Sequence, residues 1–297
     1  MTNVSIIIVN YKVADLVERC IASVYEHTKN AKFEIYLIDN ASGDDVVSRV
    51  SSKFPEVNII ANNQNLGFAT ACNQGIQLSR GEFVLLLNPD TELKDDAISK
   101  VVDKMRGEQD VGVAGIHLLN TDGTHQSSGV RRFPKPLDQL LIMLKVPHVL
   151  SLPDPSKPSK LAPLTKPVAD YMMHDFDYRD TQDVDQVMGA FFCIRRKLID
   201  QIGPLDQGYF IWFEEVDFCH RAKNANWRVR YYHDIEAYHH RGTSFGQVST
   251  FRKQAWIRRS LRRYMKKHHG LGAWLMFVIL EPVFILLAII AQIIKPK

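Results

Sequence analysis

Cysteine is scarce and unpatterned in this chain. Its four cysteines, Cys20, Cys72, Cys193 and Cys219, form no C-x-x-C pair. A disulfide framework or a zinc cluster is therefore not expected to organise the fold, and a reducing compartment fits best. No glycine-rich phosphate loop comes after the first apolar run. Asn10-Tyr11-Lys12-Val13 stands there instead, which counts against a nucleotidyltransferase. No internal repeat is present. The start, Met1-Thr2-Asn3-Val4, carries no basic n-region and no cleavage pattern, so no signal peptide is expected. Neither sign of charge dominates: 37 Lys and Arg face 33 Asp and Glu, for a net charge of +4. The distribution is uneven, however. Arg252, Lys253, Arg258, Arg259, Arg262, Arg263, Lys266 and Lys267 crowd one late segment, which suits an anionic partner.

What is present is β-α alternation. Val4–Val9 reads as a buried strand ending at Asn10-Tyr11. Asp15–Tyr25 has helical spacing, and Phe33–Ile38 is a strand ending at Asp39-Asn40. Val57–Ile60 is a third strand, Gly67–Leu78 a helix of small residues, and Phe83–Leu87 a fourth strand. Asp95–Met105 is helical again, and Val111–Ile116 is a further strand. This predicts a mostly parallel α/β sheet with helices on both faces. Residues 134–186 hold most of the prolines and little periodicity, and read as an insertion or lid. Val187–Ile194 reads as a strand in which Gly189 and Ala190 permit close backbone approach to a ligand; a packing requirement explains them equally well. Glu214-Glu215-Val216-Asp217 opens a helix, and Arg228–Tyr232 is the last clear strand.

The tail divides in two. Residues 250–270 are basic and aromatic, with Trp256, Ile257, Leu261, Tyr264 and Met265 at helical spacing opposite a cationic face. That is the pattern of an interfacial membrane helix, or of an exposed helix packed on the domain. Residues 271–297 are almost wholly apolar and predict membrane attachment. Glu281-Pro282 interrupts them, leaving a kinked span and a shallow re-entrant helix both open. The basic charge before the segment places the main domain, 1–249, in the cytoplasm.

The chemistry centres on Asn88-Pro89-Asp90. Pro89 donates no ladder hydrogen bond, so pairing stops there and Asp90 sits at the carboxyl end of a strand, where open α/β sheets bind ligands. A carboxylate there can hold Mg2+ or Mn2+, and the cation can hold a diphosphate. Asp39 ends another strand on the same edge, while Glu214, Glu215 and Asp217 cluster before the late helix. His239 and His240 come after the last strand. Glu215 beside Glu214 in a partly dry cleft can have the raised pKa that suits a base. Favourable charge at a helix N-terminus explains at least one of Glu214 and Asp217.

Taken in order, seven segments resemble the inverting family-two glycosyltransferases with the GT-A (Rossmann-like) fold. They are Ser5–Tyr11, Asp39-Asn40-Ala41-Ser42, Asn65-Leu66-Gly67-Phe68-Ala69, Asn88-Pro89-Asp90, Gly189-Ala190, Glu214-Glu215-Val216-Asp217 and His239-His240-Arg241-Gly242-Thr243-Ser244. The resemblance covers 4–247. It is nearest to rhamnosyltransferase-like enzymes of bacterial O-antigen and related glycans. It implies that Val9 and Tyr11 line a nucleotide pocket, that Asp39 reads the base, and that Asn65 and Gly67 shape the pocket. It implies that Asp90 is the metal-binding aspartate, that His239 reaches the metal or diphosphate, and that Glu215 is the base of an inverting displacement. Two departures stand out. Asn88 replaces the first aspartate of D-x-D, and Glu214-Glu215 replaces Glu-Asp. The implied donor is a nucleoside-diphosphate sugar, dTDP-rhamnose or a UDP-sugar. The implied acceptor is a lipid-linked glycan at the cytoplasmic face of the bacterial inner membrane, with no nucleic-acid partner. A nucleotidyltransferase acting on sugar phosphates and a catalytically inactive membrane scaffold are the competing readings.

Overall fold

The computed structural model describes residues 2–127, 129–146, 162–240 and 250–294; the side chains of 162–164 and 291–294 are outside it. Pro147, Pro153, Pro155 and Pro158 of the proline-rich stretch, and Arg241-Gly242-Thr243-Ser244 and Gln247 after the last strand, lie outside the described residues.

The first apolar run forms β1 (Val4–Asn10), buried along its whole length. Strand side chains alternate between faces. Ile6 and Ile8 therefore pack with Val17, Cys20, Ile21 and Val24 of the helix Ala14–His27. Ile7 and Val9 pack with Ala69, Cys72 and Ile76 of the helix Phe68–Leu78. A strand covered on both faces needs this continuous apolar run. Around β1 lie β2 (Phe33–Asp39), β3 (Asn58–Ala61) and β4 (Phe83–Leu87), all parallel, in the order β3-β2-β1-β4.

The second half supplies β5 (Thr91–Leu93), β6 (Val111–Leu119), β7 (Val130–Arg131), β8 (Gln182–Asp183), β9 (Gln186–Val187), β10 (Phe191–Arg195) and β11 (Arg228–His239). The sheet continues β4-β10-β6-β11-β5, with β8 paired to β11. The expected α/β sheet is thus parallel through β3-β2-β1-β4 and again at β6-β11, with β10, β5 and β8 reversed. Because β10 is antiparallel to both β4 and β6, two reversals restore the original direction. The end of β11 therefore falls on the same sheet edge as the ends of β1, β2 and β4.

That edge is curled. β5 comes after β4 and Asn88-Pro89-Asp90 yet lies on the far side of β10, β6 and β11. Four strand steps on a flat sheet would span ~19 Å. The chain from Leu87 to Thr91 reaches ~14 Å at most. The strand twist must bring these ends together, and a concave wall results.

Two segments differ from expectation. Val187–Ile194 is not one strand: β9 pairs with β7 in a separate small sheet, and the chain turns through Met188-Gly189-Ala190 before β10 begins. The proline-rich stretch contains the helices Pro136–Met143 and Ala162–Met172. Proline is well suited to the first turn of a helix, and Pro136 occupies it. The Asp138 carboxylate closes that turn by accepting the Lys135 backbone N–H at 3.0 Å.

The basic helix lies on the domain. Leu261, Tyr264 and Met265 are buried with Tyr209 and Val216. The helix Thr250–Ile279 breaks at Gly270, whose φ is 83°. Arg258 Nε reaches Glu281 at 2.8 Å across 23 positions, a separation of ~35 Å along a straight helix. The chain therefore folds back at Gly270.

Candidate active site

One cavity of 360 Å³ opens at the curled edge. It gathers Val9, Tyr11, Asn65, Gly67, Asn88, Asp90, Gly189, Ala190, Glu214, Glu215 and His239 from distant stretches of chain. Asp39 and Asp217 are not in its wall. Asp39 is buried at the end of β2, where its Oδ1 accepts from Asn10 Nδ2 at 3.1 Å and from the Ser42 backbone N–H at 3.3 Å.

Asp90 and His239 meet because β5 pairs with β11. Thr91 lies opposite His239, and the His240 N–H donates to the Asp90 carbonyl at 2.7 Å. Both side chains are buried, with His239 Nε2 at 3.4 Å from Asp90 Oδ1. The tautomer of His239 is fixed from behind. The Gln126 amide donates to Asn120 Oδ1 at 3.0 Å and to the His239 carbonyl at 3.1 Å. Its oxygen therefore accepts from His239 Nδ1 at 2.8 Å. In the neutral form this directs the Nε2 lone pair toward Asp90, the arrangement a metal-ligating histidine requires.

A hard carboxylate oxygen and an oriented imidazole on one cavity wall fit a divalent cation whose remaining positions are filled by diphosphate oxygens and water. Among the described residues no group of three or more His, Cys, Asp or Glu forms a metal site.

The Glu214-Glu215 pair opens the helix Glu214–Asn224. Two consecutive residues before it, Trp212 (φ 62°) and Phe213 (φ 72°), hold the left-handed conformation. Bulky residues adopt it only where the surroundings enforce it, and such strain clusters at functional sites. Here it aims Glu214 and Glu215 into the cavity. Oε2 of each is buried without a hydrogen-bond partner. Burial, then the neighbouring Glu215 charge, pushes the Glu214 carboxyl well above the usual range. Burial also raises Glu215. Two adjacent carboxyls in a dry site cannot both ionise easily, so the pair retains a proton to higher pH than a solvated glutamate does. Glu214 is the more buried, while Glu215 faces the Gly189-Ala190 turn: a Cβ on Gly189 would lie 3.9 Å from Glu215 Cγ. Ala190 ties that turn to the Asp90 segment, its carbonyl accepting from the Asn88 N–H at 3.0 Å and from Thr91 Oγ1 at 3.1 Å.

Gly67 holds the cavity's other side. Its φ of 84° and ψ of 165° lie in a region open essentially to glycine alone. A Cβ there would also approach the Phe210 carbonyl oxygen to 2.5 Å. Gly67→Ala is expected to lower stability by about 1–3 kcal/mol from the backbone alone, and more from the clash, which a thermal melt beside the wild type would read.

Asp217 turns away from the cavity. Fully buried, it accepts from Arg221 Nε at 2.9 Å, Lys267 Nζ at 2.9 Å and His268 Nε2 at 2.8 Å. It joins the glutamate helix to the basic helix.

Some cavity residues are not among the site residues expected from the sequence. Asn40 is one: its Nδ2 donates to Asn65 Oδ1 at 3.0 Å and its Oδ1 accepts from the Leu66 N–H at 3.0 Å, bracing that loop. Arg131, Phe210, Trp212 and Trp256 also line the wall. Phe210 and Trp256 rest ring on ring with centroids 4.8 Å apart.

A curled mixed α/β sheet with an acidic cavity at its carboxyl edge is the build of a GT-A-like sugar transferase. The sequence model of Glycosyl transferase family 2 matches residues 5–163, more than half of the chain, and the chain belongs to that family. It is a glycosyltransferase of the α/β class, which weighs against the nucleotidyltransferase reading. It is 26% identical to the low-salt glycan biosynthesis hexosyltransferase Agl10 of Haloferax volcanii, over 80% of this chain and 67% of that one. It is also 26% identical to the N-acetylglucosaminyl-diphospho-decaprenol L-rhamnosyltransferase of Mycobacterium tuberculosis, over 83% of this chain and 79% of that one. A crystal structure of GalNAc-T7 with UDP, GalNAc and Mn2+ matches with a TM-score of 0.59 at 16% identity. That match spans 87% of this chain and about half, 47%, of the other; it speaks to the fold.

Proposed function

We propose that this glycosyltransferase moves a hexosyl group, L-rhamnose in the first instance, from a nucleoside-diphosphate sugar to a hydroxyl of a lipid-linked glycan, in one displacement with inversion. The observation that carries it is the Glu214-Glu215 pair, buried and with open carboxylate oxygens, in the same cavity as Asp90 and His239. The rhamnosyl donor and the diphospholipid acceptor are suggested by the M. tuberculosis relative's name.

In this reading Glu215 accepts the proton of the acceptor hydroxyl as its oxygen bonds to the anomeric carbon. The bond from that carbon to the diphosphate breaks, and the electron pair leaves with the diphosphate. Asp90 and His239 would hold Mg2+ or Mn2+, which would offset charge on the departing diphosphate. Asn88 adds no charge, so the ionic hold rests on Asp90. Val9, Tyr11, Asn65 and Gly67 enclose the nucleotide side, with Asp39 bonded to Asn10 behind them.

The direct test is nucleoside-diphosphate release by the full chain with a panel of nucleotide sugars and a lipid-linked acceptor extract. Acceptor-dependent release with a deoxythymidine-linked rhamnose supports the proposal. Release with a different donor alone overturns the choice of sugar. No release, with no nucleotide binding, overturns the enzyme in favour of a scaffold. Gln126→Leu provides a separate check. It removes the acceptor that fixes His239, and is expected to weaken Mn2+-dependent nucleotide binding by about 10–100-fold, measured by calorimetry, with metal-free binding unchanged.

A further inference from the structure

We propose that the chain docks on an anionic lipid bilayer through its folded-back C-terminal helices, lying along the surface rather than crossing it. Seven of the eight cations in the crowded basic segment, all but the half-buried Lys253, divide into two sets. Arg258 and Arg262 pair with Glu281, and Arg263 and Lys267 pair with Asp206. Arg252, Arg259 and Lys266 are exposed and have no carboxylate partner among the described residues. They recur every seven positions and so line one face of the helix. Lys266 lies 5.3 Å from the ring centre of Trp274 on the returning segment, joining this cationic line to the apolar end of the chain.

The returning segment has two faces. Phe277, Phe284 and Ala288 are buried, with Phe277 and Phe284 against the domain. Leu271, Leu275, Ile279, Val283, Leu286 and Ile290 recur at helical spacing and stay exposed, Leu271 at 62% and Ile279 at 72%. An apolar stripe this long beside unpaired cations and a tryptophan is the profile of a surface that sits at the boundary of headgroups and acyl chains. The cations specify anionic headgroups.

The same geometry argues against a span. The helix Glu281–Ile294 has 14 residues, ~21 Å of rise against a hydrocarbon core of ~30 Å. Among the described residues no single helix is long and apolar enough to cross a membrane; the bent pair meets that test only together, across a bend of 50°. A straight span over 271–294 would break the Glu281 pairs with Arg258 and Arg262 and carry that carboxylate toward the bilayer centre. Lying flat keeps both pairs and the buried face intact. It also places Trp256, on the same helix as the cations and in the cavity wall, near the lipid surface.

The test is flotation of the full chain with vesicles, together with labelling of a new cysteine. Wild type should float with vesicles containing phosphatidylglycerol and bind pure phosphatidylcholine far more weakly. Exchanging Arg252, Arg259 and Lys266 for Gln should cut affinity for the anionic vesicles on the order of 100-fold. Leu275→Glu with Leu286→Glu should abolish flotation, with a thermal melt as the check on folding; the charge variant still decides the matter if that double variant does not fold. Flotation unchanged in the charge variant overturns the proposal. So does a discrete dimer, broken by the double variant, in a wild type that binds no vesicles. The native cysteines are all buried, so Lys295→Cys gives a clean report in inverted inner-membrane vesicles. Equal labelling by an impermeant maleimide before and after detergent supports the surface mode. Labelling only after detergent overturns it.

Discussion

Glu215→Gln is expected to lower the transfer rate by about 10²–10⁴-fold while the donor KM stays within a few-fold. The substitution keeps shape and hydrogen-bonding capacity and removes only the ability to take a proton. Glu214→Gln should behave differently. Glu214 is the deeper of the two, burial and then the Glu215 charge hold its carboxyl well above the usual range, and a neutral amide imitates its protonated form. Sequence position alone would make the two exchangeable; burial separates them. The pH profile carries the same argument. Both carboxyls are raised, and the base acts in its ionised form. Activity should therefore fall on the acid side at a higher pH than a solvated glutamate would give, and Glu214→Gln should leave that limb in place, because burial is what raises Glu215. Rate against pH for the three proteins reads both effects. A Glu215→Gln enzyme with wild-type kcat would remove Glu215 from the mechanism.

The parts of this molecule legible in the sequence are those where chemistry and chain order coincide. Phe83–Leu87 with Asn88-Pro89-Asp90 after it places a carboxylate at a strand end by local rules alone, and the structure keeps it there. The family resemblance marks Gly67 as a pocket residue, and its conformation gives the reason. The features that sequence does not reveal depend on contacts between distant segments. Nothing near His239 announces Gln126, because the two meet only after β6 and β11 pair. Nothing in Tyr209–Phe213 signals two left-handed residues, since neither tryptophan nor phenylalanine favours that conformation. The Pro136 helix is legible in principle: proline at the first turn with Asp138 two residues later is a start signal, obscured by the proline-rich run beyond it. In sequence the basic segment reads as one cluster. Only the folded chain divides it into cations that hold the tail and cations that face outward.

Asp217 marks that division most sharply, and Asp217→Ala is expected to cost about 1.5–3 kcal/mol of stability. A helix-opening aspartate exposed to water would contribute about 0.3–1 kcal/mol through the helix dipole, so the two roles are separable by a melt. The larger figure comes from its surroundings. Truncation takes a buried acceptor from Arg221, Lys267 and His268 at once, while Lys267 keeps Asp206 and Arg221 keeps the Ile202 and Pro204 carbonyls. The loss should concentrate where the basic helix meets the glutamate helix, so hydrogen exchange should rise there before the sheet responds. Acid should loosen the same joint in two stages. His220, stacked on His268 at 4.1 Å and bonded to Tyr264 Oη at 2.8 Å, is lowered to about 4, chiefly by burial. A histidine depressed on folding contributes stability that is complete above its unfolded value of ~6.5 and is lost as pH falls from there toward the folded value. Asp217 is depressed by its hydrogen bonds to His268 and Lys267 against the opposing effect of burial. Its contribution is complete above the unfolded aspartate value of ~3.9 and disappears only as pH drops through its folded value. Measured against His220→Phe, wild type should therefore lose melting temperature from about pH 6.5 downward, and measured against Asp217→Asn it should lose it below about pH 4; the raised Glu214 and Glu215 act in the opposite direction and cancel in each difference. A difference from His220→Phe that stays constant between about pH 7 and about pH 4.5 would mean that His220 is not held neutral in this joint.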